Sequence, residues 1–218
     1  MIRLHHCDQR SPEWLALRAG HLTSTGAKDM LATIKSGEAA ARRDLRYKLV
    51  AERLSGQSQE DGYVNAAMQW GIDHEAEARA VYEVVSGHLV ETIGFVARED
   101  LLAGSSPDGL VGDDGLVSIK CPKTATHIRY LRDGVEPAEH AAQHTHELWV
   151  TGRAWIDVVS YDPRLPETLR LFIVRVTRSR ETLTAYETQA RQFLEEVSRE
   201  VETLLTLRDP RGQLERSL

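Results

Sequence analysis

An acidic turn and a lysine-bearing strand follow one another in the middle of this 218-residue chain. The turn is Ser106-Pro107-Asp108-Gly109, and nine residues separate its Asp108 from the segment Ser118-Ile119-Lys120. Two carboxylates beside a lysine could bind Mg²⁺, which prefers oxygen ligands, and such an ion polarises a phosphodiester and acidifies a water. Asp108 is one candidate ligand, whereas the segment 118–120 offers a lysine but no second carboxylate, since its first residue is Ser118.

Alternation along the predicted strand 115–120 decides which side chains act together. It divides them between two faces, with Leu116, Ser118 and Lys120 on one and Val117 and Ile119 on the other. A carboxylate at position 118 would therefore lie on the same side as Lys120. An ordinary hairpin with an exposed lysine is the alternative, since Pro-Asp and Asp-Gly turns are common.

Composition favours a soluble globular protein with one domain over residues 1–218. The chain is 41% hydrophobic and 28% charged, and its length allows a substantial core. No apolar run approaches a membrane span, and the N-terminus lacks a signal-peptide core. Cys7 and Cys121 form no Cys-x-x-Cys pair, which indicates a reducing compartment, the cytoplasm, and no structural zinc.

The charge is unevenly distributed. The net charge is −6, which argues against a nucleic-acid partner. Residues 1–55, however, contain ten Lys or Arg and six Asp or Glu, so this segment has a charge of +4 and the remainder −10. A local basic surface of this kind could bind phosphates, and a solvated helix face is the alternative interpretation.

Start and stop signals predict an alternation of helices and strands. Helices are expected over 11–20, 37–55, 65–86, 124–133, 137–150 and 180–206, and strands over 88–97, 101–104, 115–120, 153–161 and 168–176. This order indicates an α/β fold in which helices flank a mixed central β-sheet.

Several blocks, taken in order, resemble one family. They are Trp14 with Leu17–Thr25, Trp70-Gly71 with Glu75 and Ala78-Arg79, Ser106–Leu110, Gly115–Pro122, Gln143 with Leu148–Gly152, and Tyr161–Arg164. Together they resemble the lambda exonuclease or YqaJ-like viral recombinase family of the PD-(D/E)XK nucleases, over about residues 8–200. The resemblance implies a restriction-endonuclease-like nuclease core.

The resemblance also implies an activity and partners. Family members are Mg²⁺-dependent exonucleases, with Mn²⁺ as a substitute, that digest the 5′-ended strand of linear double-stranded DNA processively. They are ring-shaped homotrimers that load on DNA ends and act beside a single-strand annealing protein in phage recombination. A phage or prophage origin would place the protein in the bacterial host cytoplasm, with no membrane partner.

Residue by residue, the resemblance makes Asp108, position 118 and the main-chain carbonyl of Ile119 metal ligands. Lys120 would stabilise the attacking water and the developing charge. Glu75 would lie beside a second metal or its waters, although it could equally form a surface pair with Arg79. Gln143 belongs to the same catalytic set.

Three further positions match DNA contacts of the family. Arg18 and Thr25 would bind the terminal 5′-phosphate, a guanidinium fork and a hydroxyl being suited to that anion. Their alternative role is capping and surface solvation. Met68 lies where the family has an apolar wedge that splits the end base pair, and plain helix packing is its alternative.

The chain departs from the family at two positions. Ser118 replaces the glutamate, and since a hydroxyl is a poor Mg²⁺ ligand we expect impaired catalysis. Thr145 replaces a second glutamine, which weakens the polar support near Gln143. The chain is either an inactivated variant or a diverged relative. If it is fully active, another carboxylate must substitute, and Glu75 is the expected one.

Other functions are considered beside the exonuclease. A catalytically inactive DNA-end-binding module is favoured by Ser118 and disfavoured by Asp108 and Lys120. An endonuclease of the same superfamily is the other possibility. The helix with His140, His144 and His146 lacks the cysteine or fourth ligand expected of a zinc site.

Overall fold

The computed structural model describes residues 1–60 and 65–207. Its strands are β1 (Ile2–His5), β2 (Leu22–Thr23), β3 (Val90–Glu91), β4 (Phe95–Arg98), β5 (Ala103–Ser105), β6 (Gly109–Val111), β7 (Gly115–Lys120), β8 (Trp155–Tyr161) and β9 (Leu171–Thr177). Its helices are α1 (Pro12–Arg18), α2 (Ala27–Met30), α3 (Ala40–Ser55), α4 (Ala66–Ser86), α5 (Thr124–Asp133), α6 (Ala141–Thr151) and α7 (Arg180–Leu207). Short 3₁₀ turns cover Ser24–Gly26, Ala138–His140 and Glu167–Leu169.

The strands form two mixed sheets. One has four strands in the order β1-β4-β5-β2, and the other has five in the order β3-β6-β7-β8-β9. The pairs β7–β8 and β2–β5 are parallel, and the remaining pairs are antiparallel. The predicted α/β fold, with mixed strands flanked by helices, is confirmed, but the expected single central sheet is divided in two.

The division falls at Gly94, so the predicted single strand over 88–97 is wrong. β3 pairs with β6 in the larger sheet, whereas β4 pairs with β1 and β5 in the smaller one. A Cβ atom added at Gly94 would lie 2.3 Å from the carbonyl oxygen of Cys7. Only glycine lets these two backbones approach, and hydrophobic alternation does not reveal such a contact.

Most helix boundaries agree with the sequence signals. The Ser11 hydroxyl caps α1 by accepting from the amide of Trp14, and the Asn65 side chain caps α4. Gly87 ends α4 in the left-handed region at φ 72°. α3 begins at Ala40 rather than at residue 37. Strands β1, β2 and β6 and helix α2 were not predicted, since they are too short for a periodic pattern.

Two hydrophobic clusters cover opposite faces of β7. Leu116 packs in a large cluster with Leu148 and Val150 of α6. Val117 and Ile119 pack in a second cluster with residues of α4. Helix α6 therefore lies on the side of the sheet that Leu116 faces, and α4 packs on the other face of β7. The first cluster also contains residues of both sheets, so both sheets contribute to one core. None of the helices in the described ranges has the length and apolar character needed to cross a lipid bilayer.

Candidate active site

Asp108 is held beside the end of β7. It immediately precedes β6, whose register pairs Gly109 with Val117 of β7. Oδ2 of Asp108 accepts a hydrogen bond from the amide of Ile119 at 2.6 Å, and Nζ of Lys120 lies 3.8 Å from the same oxygen. The β6–β7 hairpin thus brings together the carboxylate and the lysine identified from their spacing.

A cleft of about 990 Å³ opens over this pair. It lies between α1, α4 and the end of β7, and seven of the nine predicted site residues line it: Arg18, Thr25, Met68, Glu75, Asp108, Ile119 and Lys120. The other two, Ser118 and Gln143, are not among its lining residues. The structure therefore collects most of the predicted catalytic and DNA-contacting residues in one open groove.

Glu75 reaches the cleft from α4. Burial raises the pKa of its carboxyl, and the negative charge of Asp108 raises it further, while Arg10 and Arg79 act in the opposite direction. The two carboxylates therefore share one electrostatic environment, as expected of groups that face a common cation. Arg10, which lines the cleft and has a positive φ of 70°, was not predicted as a site residue.

Lys120 is surrounded by negative charge. Burial by itself lowers the pKa of its ammonium group, but Asp108, Glu147 and Glu75 outweigh that effect and the net shift is upward. The side chain is therefore a firmly protonated cation at the end of β7. Such a group can stabilise negative charge on a phosphate.

Ser118 and Glu147 lie buried behind the cleft. Each is 1% exposed. The Oγ of Ser118 has no hydrogen-bond partner, and neither has Oε2 of Glu147. Oε1 of Glu147 accepts from Nε2 of Gln143 at 2.8 Å. Burial raises the pKa of the Glu147 carboxyl. Glu147 was missed from the sequence, where its one signal is its position one helical turn after Gln143.

Arg18 is 6% exposed, with its guanidinium 4.0 Å from the centre of the Trp14 ring. It donates to Oε1 of Glu60 at 2.8 Å and to the Ser106 hydroxyl at 3.4 Å. Its Nε is buried without a partner. A phosphate at this position would compete with Glu60 for the guanidinium.

Thr25 and Met68 are accessible from the cleft. The Thr25 hydroxyl lies 3.1 Å from that of Thr23 and is exposed. Met68 is 54% exposed near the start of α4. Since Met68 is largely outside the core, packing within the chain does not account for it. It lines the same cleft as the predicted catalytic residues Asp108 and Lys120.

The predicted basic surface over residues 1–55 is only partly available. Arg42 and Arg46 of α3 form ion pairs with Glu196 and Glu200 of α7 and with Glu38. These arginines connect two helices rather than face a ligand. The cations of this segment that line the cleft are Arg10, Arg18 and Lys48.

The residues around Gln143 have separate structural partners. Thr145 donates to the carbonyl of Ala141 and accepts from Nε of Arg178. Nδ1 of His144 is 2.7 Å from Glu136, whereas His146 is hydrogen-bonded to Tyr186. Within residues 1–60 and 65–207, no three His, Cys, Asp or Glu side chains are already grouped to hold a metal ion.

Comparisons with known proteins identify the family and the fold. Residues 13–154 match the family model of the YqaJ-like viral recombinase domain. Two crystal structures of the alkaline exonuclease LHK-Exo from Laribacter hongkongensis superpose with a TM-score of 0.81 at 37% identity. The match to the dAMP complex covers 89% of this chain and 96% of the LHK-Exo chain. The match to the other structure covers 90% of this chain and 97% of the LHK-Exo chain.

A phage-related exonuclease from Haemophilus somnus 129PT shares the fold, with a TM-score of 0.62 at 15% identity over 83% of this chain and 96% of that one. No curated protein matches the chain. The fold and its carboxylate–lysine cleft define a nuclease-type α/β protein. The chain belongs to the YqaJ-like viral recombinase family, as the residue blocks indicated.

Proposed function

We propose that this protein is a divalent-metal-dependent exonuclease that degrades linear double-stranded DNA from its ends. The observation that carries the proposal is the pairing of Asp108 with Lys120, 3.8 Å apart, in a cleft that Arg18 also lines. A metal-binding carboxylate, a cation for the phosphate and an arginine for a terminal phosphate thus share one groove. The alkaline exonuclease LHK-Exo, with its matching fold, supports the assignment.

The donor set fits a divalent cation. Asp108 offers a carboxylate whose orientation is fixed by the Ile119 amide. Oε2 of Glu147, a buried oxygen without a partner, is influenced by the charges of both Lys120 and Asp108. When bound, Mg²⁺, or Mn²⁺ in its place, would acidify a water and polarise the scissile phosphate.

Each side chain then has a defined task. Asp108, with the main-chain carbonyl of Ile119, would hold the cation, and Lys120 would stabilise charge on the phosphate. Glu75 would orient waters at the opposite wall. Arg18 and Thr25 would bind a terminal 5′-phosphate, since a guanidinium forms strong charge-assisted hydrogen bonds with it.

The family supplies the finer features of the proposal: digestion in the 5′-to-3′ direction, processivity through a homotrimeric ring, and cooperation with a single-strand annealing protein in phage recombination. This role would place the protein in the host cytoplasm. One observation favours a second candidate. Ser118 occupies the expected glutamate position, so a DNA-end-binding module with a weakened metal site is the alternative.

Digestion of a 5′-phosphorylated linear duplex and of the same DNA as a closed circle, with and without Mg²⁺, tests the proposal. We expect release of nucleotides from the linear form only and only with the metal. End binding without cleavage would support the binding module. Cleavage of the circle would indicate an endonuclease. The variant Asp108→Asn is the inactive control.

A further inference from the structure

Two of the buried polar atoms without partners are on Ser118 and Glu147. They are Oγ of Ser118 and Oε2 of Glu147, on residues that are each 1% exposed. A buried carboxylate is costly unless it is paired and hydrogen-bonded. Oγ of Ser118 and Oε2 of Glu147 are therefore available to an additional polar or charged partner.

The two faces of β7 show which carboxylate can act beside Ser118. By strand alternation, Ser118 shares the face of Leu116, and Leu116 belongs to the same core cluster as Leu148 of α6. Glu147 belongs to that same helix. Glu75 is carried by α4, which covers the opposite face with Ile119. Glu147, and not Glu75, thus comes from the helix over the Ser118 face.

Glu147 lies within electrostatic range of Asp108 and Lys120. After burial, the charges of His144, Lys120 and Asp108 act on its carboxyl, and Glu147 in turn acts on Lys120. Nζ of Lys120 forms an ion pair with Oδ2 of Asp108, within 4.0 Å. Across the described ranges, no Lys or Arg nitrogen makes such a pair with Glu147.

Gln143 fixes one end of the Glu147 carboxylate. Its Nε2 donates to Oε1 at 2.8 Å, which orients the group and leaves Oε2 without a partner. A hydrogen bond to one oxygen with the other oxygen free is suitable for a ligand that must keep one orientation. Gln143 is thus a positioning residue in this arrangement.

We propose that Glu147 supplies the second carboxylate of the metal site, replacing from helix α6 the glutamate expected on β7 at position 118. The inference rests on the proposed metal-dependent nuclease function. Ser118 has no charge of its own, so Glu147 would be the second anion of the site beside Asp108. The chain then has two anionic ligands, and the impairment expected from Ser118 does not follow.

Titration of the full-length protein with Mn²⁺ by calorimetry, without DNA, tests this assignment independently of activity. Glu147→Gln should weaken Mn²⁺ binding at least about tenfold, since losing even an outer-shell partner commonly costs about 10–100-fold. Glu77→Gln is the matched control: Glu77 accepts from the Tyr161 hydroxyl at 2.7 Å, a bond that glutamine can keep. Glu75→Gln should lose less Mn²⁺ affinity than Glu147→Gln. The proposal would be overturned if Glu147→Gln kept the Mn²⁺ affinity of the parent or if Glu75→Gln lost more Mn²⁺ affinity than Glu147→Gln. It would also be overturned if the parent bound no Mn²⁺.

Exchanging the two residues gives a second test that does not depend on the stability of one variant. Glu147→Ser alone should lose Mn²⁺ affinity, and adding Ser118→Glu should restore it, with folding verified by circular dichroism. An exchange that binds no better than Glu147→Ser contradicts the proposal. If Mn²⁺ binding depends on Glu147 but the protein leaves linear duplex uncut, the nuclease function is refuted. The role of Glu147 as a metal ligand then stands. If the parent protein digests linear duplex and Glu147→Gln binds Mn²⁺ as tightly as the parent, only the role of Glu147 is refuted.

Discussion

Oδ2 of Asp108 accepts a hydrogen bond from the main-chain amide of Ile119 at 2.6 Å. This contact ties the residue before β6 to the last part of β7, so the carboxylate is fixed by backbone rather than by a mobile side chain. Nζ of Lys120 then lies 3.8 Å away. A rigid carboxylate–cation pair of this kind needs little reorganisation when charge develops on a phosphate.

The first prediction concerns Lys120. Lys120→Met should reduce the turnover of linear duplex about 10²–10³-fold, the usual cost of removing one group that stabilises transition-state charge. Mn²⁺ binding and DNA-end binding should persist, because Asp108 and Arg18 are untouched. Single-turnover kinetics with fluorescence anisotropy on the same duplex measures both effects. Lys123→Met, an exposed lysine just after β7, is the matched control, and equal turnover in the two variants would contradict the role of Lys120.

The sequence predicted this part of the site because its signals are local. The separation between Asp108 and Lys120, together with strand alternation, is visible in one short segment, and β7 occupies the predicted residues 115–120. The long helices were likewise predicted from their caps and periodicity. Position 118 was correctly assigned to the face of Lys120, which made the missing carboxylate apparent.

The remaining features depend on contacts between distant segments. Gly94, between β3 and β4, lets the backbone of Cys7 approach closely, and no periodicity records that approach. Glu147 lies 29 positions after Ser118 in the sequence, so its burial near the sheet arises only when α6 packs into the core that β7 shares. The pairing of α3 arginines with α7 glutamates similarly changed a predicted basic surface into a helix–helix contact.

The second prediction concerns the terminal phosphate. Arg18→Ala should abolish the preference for 5′-phosphorylated over 5′-hydroxyl ends, because Arg18 offers a buried guanidinium to the cleft. Binding competition between the two ends measures the preference. Arg43→Ala is the control, since Arg43 is on the exposed side of α3 and pairs with Asp44. A preserved preference in Arg18→Ala would remove the phosphate assignment.

The third prediction concerns Met68 as a wedge. Met68→Ala should slow digestion of a fully paired end, and an end with a few mismatched base pairs should restore the rate. Stability should change by no more than about 0.5 kcal/mol, as for other exposed positions, because Met68 is 54% exposed. Val84→Ala provides the control on the same helix, with Val84 84% exposed. Equal slowing on paired and mismatched ends would argue against a wedge.

The fourth prediction concerns assembly. A ring-forming nuclease should have in solution about three times the 24.5 kDa mass of the chain, and light scattering coupled to size exclusion measures this. Digestion should then be processive, with few intermediate products when excess unlabelled duplex is added as a trap. A monomer at micromolar concentration would remove the processive-ring mechanism while leaving the active-site chemistry intact.

The fifth prediction concerns His146, which packs in the core and links α6 to its surroundings. Its Nδ1 is 2.7 Å from the Tyr186 hydroxyl and its Nε2 is 3.0 Å from the Gly104 carbonyl oxygen. The side chain is completely buried. Burial lowers the pKa of His146 from its ordinary 6.5 to about 4, although backbone hydrogen bonds oppose the shift.

The lowered pKa of His146 in the folded protein determines how the stability of the fold changes with pH. Between pH 6.5 and about 4 the unfolded chain binds a proton at His146 more readily than the folded chain does. The stabilising contribution is therefore complete above pH 6.5 and decreases as the pH falls. At pH 5 the loss should be about 2 kcal/mol, since one pKa unit corresponds to about 1.4 kcal/mol.

Urea unfolding at pH 7.5 and pH 5.0 measures this loss. His146→Gln should be less stable than the parent at pH 7.5, because it leaves a space beside Tyr186, but its decrease in unfolding free energy toward pH 5.0 should be about 2 kcal/mol smaller. His6→Gln, at an exposed position, should show the pH dependence of the parent. Other titrating groups are common to all three proteins and cancel in the comparison. If His146→Gln loses as much stability as the parent between the two pH values, His146 is not the group that destabilises the fold in acid.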